Sequence, residues 1–126
     1  MKLANIVDPR FHEALNKLAN AALPVKTAFK IKGVTKVVRA EYEKYEEVRQ
    51  ASLKSHGLKK EDGELDLDDK GNVKFDNDGI VAFAKDMADL TALEVEVPTV
   101  SLAELGEKID LTAMDLELLD GIVVSD

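Results

Sequence analysis

His12 and His56 are the only histidines in this 126-residue chain, and it has no cysteine. Histidine is the side chain best suited to bind transition metals or move protons near neutral pH. Neither has a second histidine four positions away, so a zinc site would need distant carboxylates to complete it. Both are read as structural. His12 is expected on a helix surface, and His56 in a last helical turn, where positive character suits the macrodipole. The lack of cysteine also removes disulfide scaffolds, thiolate metal centres and cysteine nucleophiles.

Carboxylates are abundant, and pairs such as Asp68 with Asp69, Asp76 with Asp78 and Asp86 with Asp89 could in principle serve as acid and base. None is flanked by the apolar walls that raise a carboxyl pKa for catalysis. The segment from Asp66 to Gly71 matches positions 1, 3 and 6 of a calcium loop. Position 5 is Lys70 and position 12 is Asn77, where the loop needs an oxygen ligand and a bidentate Glu. An ammonium group would repel the ion, so a solvated hairpin turn is the better reading. There is no glycine-rich phosphate loop, no G-x-S-x-G and no H-E-x-x-H. No catalytic residue, metal or cofactor is expected, and the protein is read as not an enzyme.

Charge carries more information. Residues 1–40 hold eight basic side chains against two acids, +6 in sum; residues 41–126 hold nine against twenty-three, −14 in sum. Such polarity suits a surface that meets another macromolecule or another copy of itself. A net charge of −8 disfavours nucleic acid, because the acidic part would repel the same polymer. Only 5% of residues are aromatic, which weakens stacking-based binding. No stretch is apolar for 18 residues, so no membrane span is expected, and Met1–Ile6 lacks a signal-peptide core.

These groups have to be positioned by a small number of elements. Asp8-Pro9 reads as a helix start, followed by an apolar stripe at Phe11, Leu15, Leu18 and Ala22. The helix is expected to stop near Ala22 or Leu23, ahead of Pro24. A second helix is expected over 24–56, with Gly57 as a left-handed cap. Continuous, it would be about 48 Å long; Gly33 is its weak point, and the sequence leaves open whether the helix kinks or breaks there. Its stripe is Ile31, Val34, Val38, Tyr42, Tyr45 and Val48, and its cations are Lys26, Lys30, Lys36 and Arg39, with Lys32 on a neighbouring face. Residues 58–79 have the alternation and turn residues of an exposed β-hairpin. A third helix follows, capped by Asn77 or Asp78. Leu93–Val97 alternates as a half-buried strand ended by Pro98. Val100 and Leu102 extend a second strand, or Ser101–Leu105 forms one helical turn. Thr112 caps a last short helix whose Leu116, Leu118 and Leu119 face inward.

The fold class expected is therefore α+β in a single domain, 1–126. A helical hairpin (1–57) with one long amphipathic helix would precede a small antiparallel β-sheet with two shorter helices (58–126). The expected protein interface is Lys30, Ile31, Val34, Lys36, Val38, Arg39, Tyr42 and Tyr45. There an apolar seam would be buried against a partner while cations set the register.

The runs Ala22–Ile31, Glu41–Gln50, Leu93–Val97 and Leu111–Leu116, taken in order, resemble small uncharacterised accessory or virion-associated proteins of tailed bacteriophages. The resemblance implies a viral structural or assembly component. Its partners would be other phage proteins or itself as a homo-oligomer, with a host protein a further candidate. It would be found in the host cytoplasm and then in the virion. The alternative is an inhibitor of a host enzyme or defence complex, using the acidic surface from Asp62 to Asp78 to mimic nucleic acid.

Overall fold

The computed structural model describes residues 1–106 and 109–125. The described chain forms two compact units: residues 1–42 with 93–126, and residues 43–92. It is a mixed fold, α+β in the broad sense, built mostly of helix with a minimal two-stranded sheet.

In the first unit, α1 (Leu3–Ile6) leads into α2 (Pro9–Ala19). Asp8 caps α2 as its sequence requires, accepting from the Arg10 amide at 2.9 Å. The helix ends at Ala19, earlier than Pro24 alone implies. Asn20 closes it, and its side-chain amide donates to the Asn16 carbonyl at 2.9 Å. The long helix α3 (Val25–His56) then runs unbroken through Gly33. Its part up to Tyr42 belongs to this unit and its remainder to the second. α2 and α3 lie side by side: the His12 ring meets Tyr42 edge-on at 5.3 Å, and Leu18 and Ile31 line one crevice near the connection.

The expected antiparallel sheet does not form. Leu93–Val97 makes a single antiparallel bridge, Glu94 to Lys2. The Leu3 amide donates to Leu93 and the Val95 amide to Met1 at 2.9 and 2.8 Å. The ladder cannot grow, because the first segment turns into α1 at Leu3 and Pro98 offers no N–H. The two strands that do pair are β1 (Val100–Ser101) and β2 (Val123–Val124), in parallel register with Val100 opposite Val123. Parallel neighbours need a crossover connection. Here it contains α5 (Leu102–Leu105) and α6 (Ala113–Leu118). Both are capping boxes, Ser101 with Glu104 and Thr112 with Asp115. The short strand and the helical turn, alternatives in the sequence, are both present.

The core lies in this first unit. Phe11, Ile6, Leu18, Leu119, Ile122, Val34, Val38 and Val100 are essentially inaccessible. Burying each such side chain stabilises by roughly 1.5–3 kcal/mol. Leu119 points inward as expected, but Leu118 is only half-buried and Leu116 is exposed. Within α6 itself the buried residue is Asp115, and Leu119 is the residue that closes the helix.

In the second unit, the rest of α3 is joined by α4 (Asn77–Thr91) and the extended segments between them. The hairpin is reduced to isolated antiparallel bridges, Lys59 to Leu65 and Leu67 to Val73. Its tip turns at Gly71, with φ +81°. The cap of α4 is Asp76, one residue before the expected Asn77, and it accepts from Gly79 at 2.6 Å. Gly57 is needed for space, not for a left-handed cap. A Cβ there would collide with the Leu53 carbonyl and the side chains of Val73 and Leu65.

Candidate functional site

The first part of α3 presents two stripes. Thr27, Ile31, Val34 and Val38 are spaced 4, 3 and 4 and face the core, each at most 4% exposed. Val25, Phe29, Lys32 and Lys36 repeat the same spacing two residues earlier. Two residues turn a helix by 200°, so this second stripe lies opposite the first and faces solvent. Val25 is 86% and Phe29 77% exposed, the two highest values among the exposed large apolar side chains of the described residues. Lys26 and Arg39, both exposed, flank the same face.

Acids within the unit answer part of the basic charge. Lys30 Nζ reaches Glu104 Oε2 at 2.5 Å, while Thr27 Oγ1 donates to the Glu104 carbonyl at 3.0 Å. Lys17 pairs with Asp115, and the Met1 ammonium lies 3.3 Å from Glu94. The Lys30 ammonium beside Glu104 holds that carboxyl below its usual pKa. Lys26, Lys32, Lys36 and Arg39 form no ion pair among the described residues. They form a cationic face next to two exposed apolar side chains.

The eight residues expected at an interface therefore separate. Ile31, Val34 and Val38 are core, so the apolar seam is buried by the protein's own chain and offers nothing to a partner as placed. Lys30 is engaged by Glu104. Lys36 and Arg39 are exposed on the candidate face. Tyr42, 36% exposed, packs on His12, and Tyr45 lies half-buried in the second unit. Val25 and Phe29 were not singled out by sequence reasoning. The signal was present in their offset of two residues from the buried stripe.

The second unit holds the one cluster of hydroxyl, imidazole and carboxylate worth testing for catalysis. Asp86 Oδ2 accepts from Ser52 Oγ at 2.7 Å and lies 3.0 Å from His56 Nε2. Both partners converge on one oxygen, so the Ser52 hydroxyl is bound to the acid, not to the imidazole. A relay needs the hydroxyl on the base and the base on the acid. The arrangement instead ties α3 to α4, and the Ser52 hydroxyl, with His56 beside it, holds the Asp86 pKa below the ordinary value. His56 sits in the last turn of α3 as expected. His12 does not lie on an open surface: it is half-buried, and its Nε2 is enclosed without a partner among the described residues.

At the hairpin tip, Asp68 Oδ1 accepts from the Lys70 and Asn72 amides at 2.8 and 2.9 Å. The Asn72 amide, then that of Lys70, holds the Asp68 pKa down. Its acceptor capacity serves the turn. Among the described residues no group of three or more His, Asp or Glu side chains is placed to hold a metal ion. No helix among them is long and apolar enough to cross a membrane. No known protein family, curated protein or solved structure matches the chain.

Proposed function

We propose that this chain is a non-catalytic protein-binding component that docks the cationic face of α3 on an acidic protein surface, first of all that of another copy. The observation that carries this reading is the exposed pair Val25 and Phe29, set among Lys26, Lys32, Lys36 and Arg39, which have no ion-pair partner among the described residues. An apolar anchor ringed by charge is the usual anatomy of a specific contact. Exposed carboxylates at Glu61, Asp62, Glu64, Asp68 and Asp69 supply a complementary surface on a second copy. The resemblance to tailed-phage proteins gives the setting, a structural or assembly component of the virion. The inhibitor reading draws on the same acids, Asp62 to Asp78, and gives no role to Val25 and Phe29.

Molar mass in solution at about 50 mM and about 500 mM salt tests the proposal. The expected result is an oligomer at low salt that dissociates to the 13.8 kDa monomer at high salt. The double variant Lys32→Glu, Lys36→Glu should be monomeric at both. A wild-type monomer at both salts would overturn the reading.

A further inference from the structure

The second unit has a cleft of about 650 Å³ that the docking face of α3 does not involve. That volume is in the range of small-molecule sites. Three residues of α3 spaced four apart, Tyr45, Arg49 and Leu53, line one wall. Phe83 of α4 and Phe75 of the hairpin line another. Their rings stack at 5.2 Å with an interplanar angle of 27°. This unit covers its apolar residues poorly: Leu53 is its one buried large apolar side chain, while Leu65, Val73, Phe75, Phe83 and Met87 stay half-exposed. A bound apolar body would remove that surface from water.

Among the described residues, Arg49 is the one charged residue on the cleft wall. Its ion pair with Glu46 is long, 3.7 Å between Nη1 and Oε2, and both side chains are over a third exposed. A guanidinium so weakly engaged has donors left for a planar carboxylate, which it binds best in a bidentate fork. We infer that this cleft is a binding site for an aromatic carboxylate. The ring system would lie against Phe75 and Phe83, and the carboxylate would meet Arg49. Offset aromatic stacking and the Met87 thioether favour a flat ring over an aliphatic chain.

2-Naphthoate is a suitable probe, with 2-naphthalenemethanol as its uncharged analogue, each titrated into the ¹⁵N-labelled full chain. Saturable shifts are expected at residues 45–53, 65–75 and 83–87, with naphthoate binding about tenfold tighter than the alcohol. Arg49→Gln should lower naphthoate affinity about tenfold and leave that of the alcohol unchanged. Phe83→Leu should weaken both ligands. Shifts that do not saturate, or equal naphthoate affinity in wild type and Arg49→Gln, would overturn the inference. Arg49 is exposed enough that its substitution keeps the test valid even if Phe83→Leu impairs folding.

Discussion

Lys17 Nζ donates to Asp115 Oδ2 at 2.6 Å, joining α2 to α6 across 98 positions of sequence. Asp115 is 7% exposed, and the same oxygen accepts from the Thr112 amide at 3.0 Å, so a single carboxylate closes a helix cap and an ion pair together. The Lys17 ammonium, followed by the Thr112 amide, holds the Asp115 pKa below the ordinary carboxylate value. Asp115 in turn raises the Lys17 pKa.

This linkage predicts how stability varies with pH. A carboxyl with a depressed folded-state pKa contributes stability that is fully present above the unfolded value, about 4. It is lost as pH falls through the folded value. Asp115→Asn should lower the melting midpoint of the first unit by a few degrees at pH 7. The gap to wild type should close as the pH drops below 4. Thermal melts from pH 2 to 7 check it; a gap independent of pH would contradict it.

The two stripes of α3 predict opposite responses to truncation. Ile31→Ala removes a side chain only 2% exposed and should cost about 2–5 kcal/mol. Phe29→Ser alters a side chain 77% exposed and should shift stability by less than about 0.5 kcal/mol. Denaturant unfolding of both variants measures the contrast.

Two helical glycines should also differ in sign. A Cβ at Gly33 would meet nothing within 4 Å, so Gly33→Ala should stabilise α3 by about 0.5–1 kcal/mol. At Gly79 a Cβ would strike the His56 carbonyl oxygen and Asp76 Oδ1. Gly79→Ala should destabilise the second unit by about 1–3 kcal/mol. Denaturant midpoints of the two variants show the sign in each case.

Local signals in the sequence identified α2, α3, α4 and α6 and offered α5 as one of two alternatives, whereas α1 and β2 were not read from it. Asp8, Ser101 and Thr112 cap helices because short polar side chains reach free amides, a relation contained within four residues. The sequence left open whether α3 continues through Gly33; the absence of proline over 25–56 permits the continuity that the structure shows. Long-range pairing was not legible. Alternation in Leu93–Val97 signals a strand but not its partner, and the partner proved to be three residues at the N-terminus. The parallel pairing of Val100 with Val123 depends on a crossover that no local pattern encodes. For the site, periodicity located the stripe of Ile31, Val34 and Val38 but could not say whether this chain or another one buries it. The charge split was read as an external surface, yet Lys17, Lys30 and the N-terminus use part of it within the chain.

If the solvent-facing stripe of α3 docks on an acidic partner, its lysines are covered in the assembled protein. Lysine acetylation mapped by mass spectrometry, with assembled and salt-dissociated protein compared, addresses this most directly. Lys26, Lys32 and Lys36 should be protected at low salt and reactive at high salt, while Lys54 and Lys85, exposed elsewhere, react alike in both. Protection that falls on Lys54 or Lys85 while Lys26, Lys32 and Lys36 stay reactive would rule out docking through this face of α3.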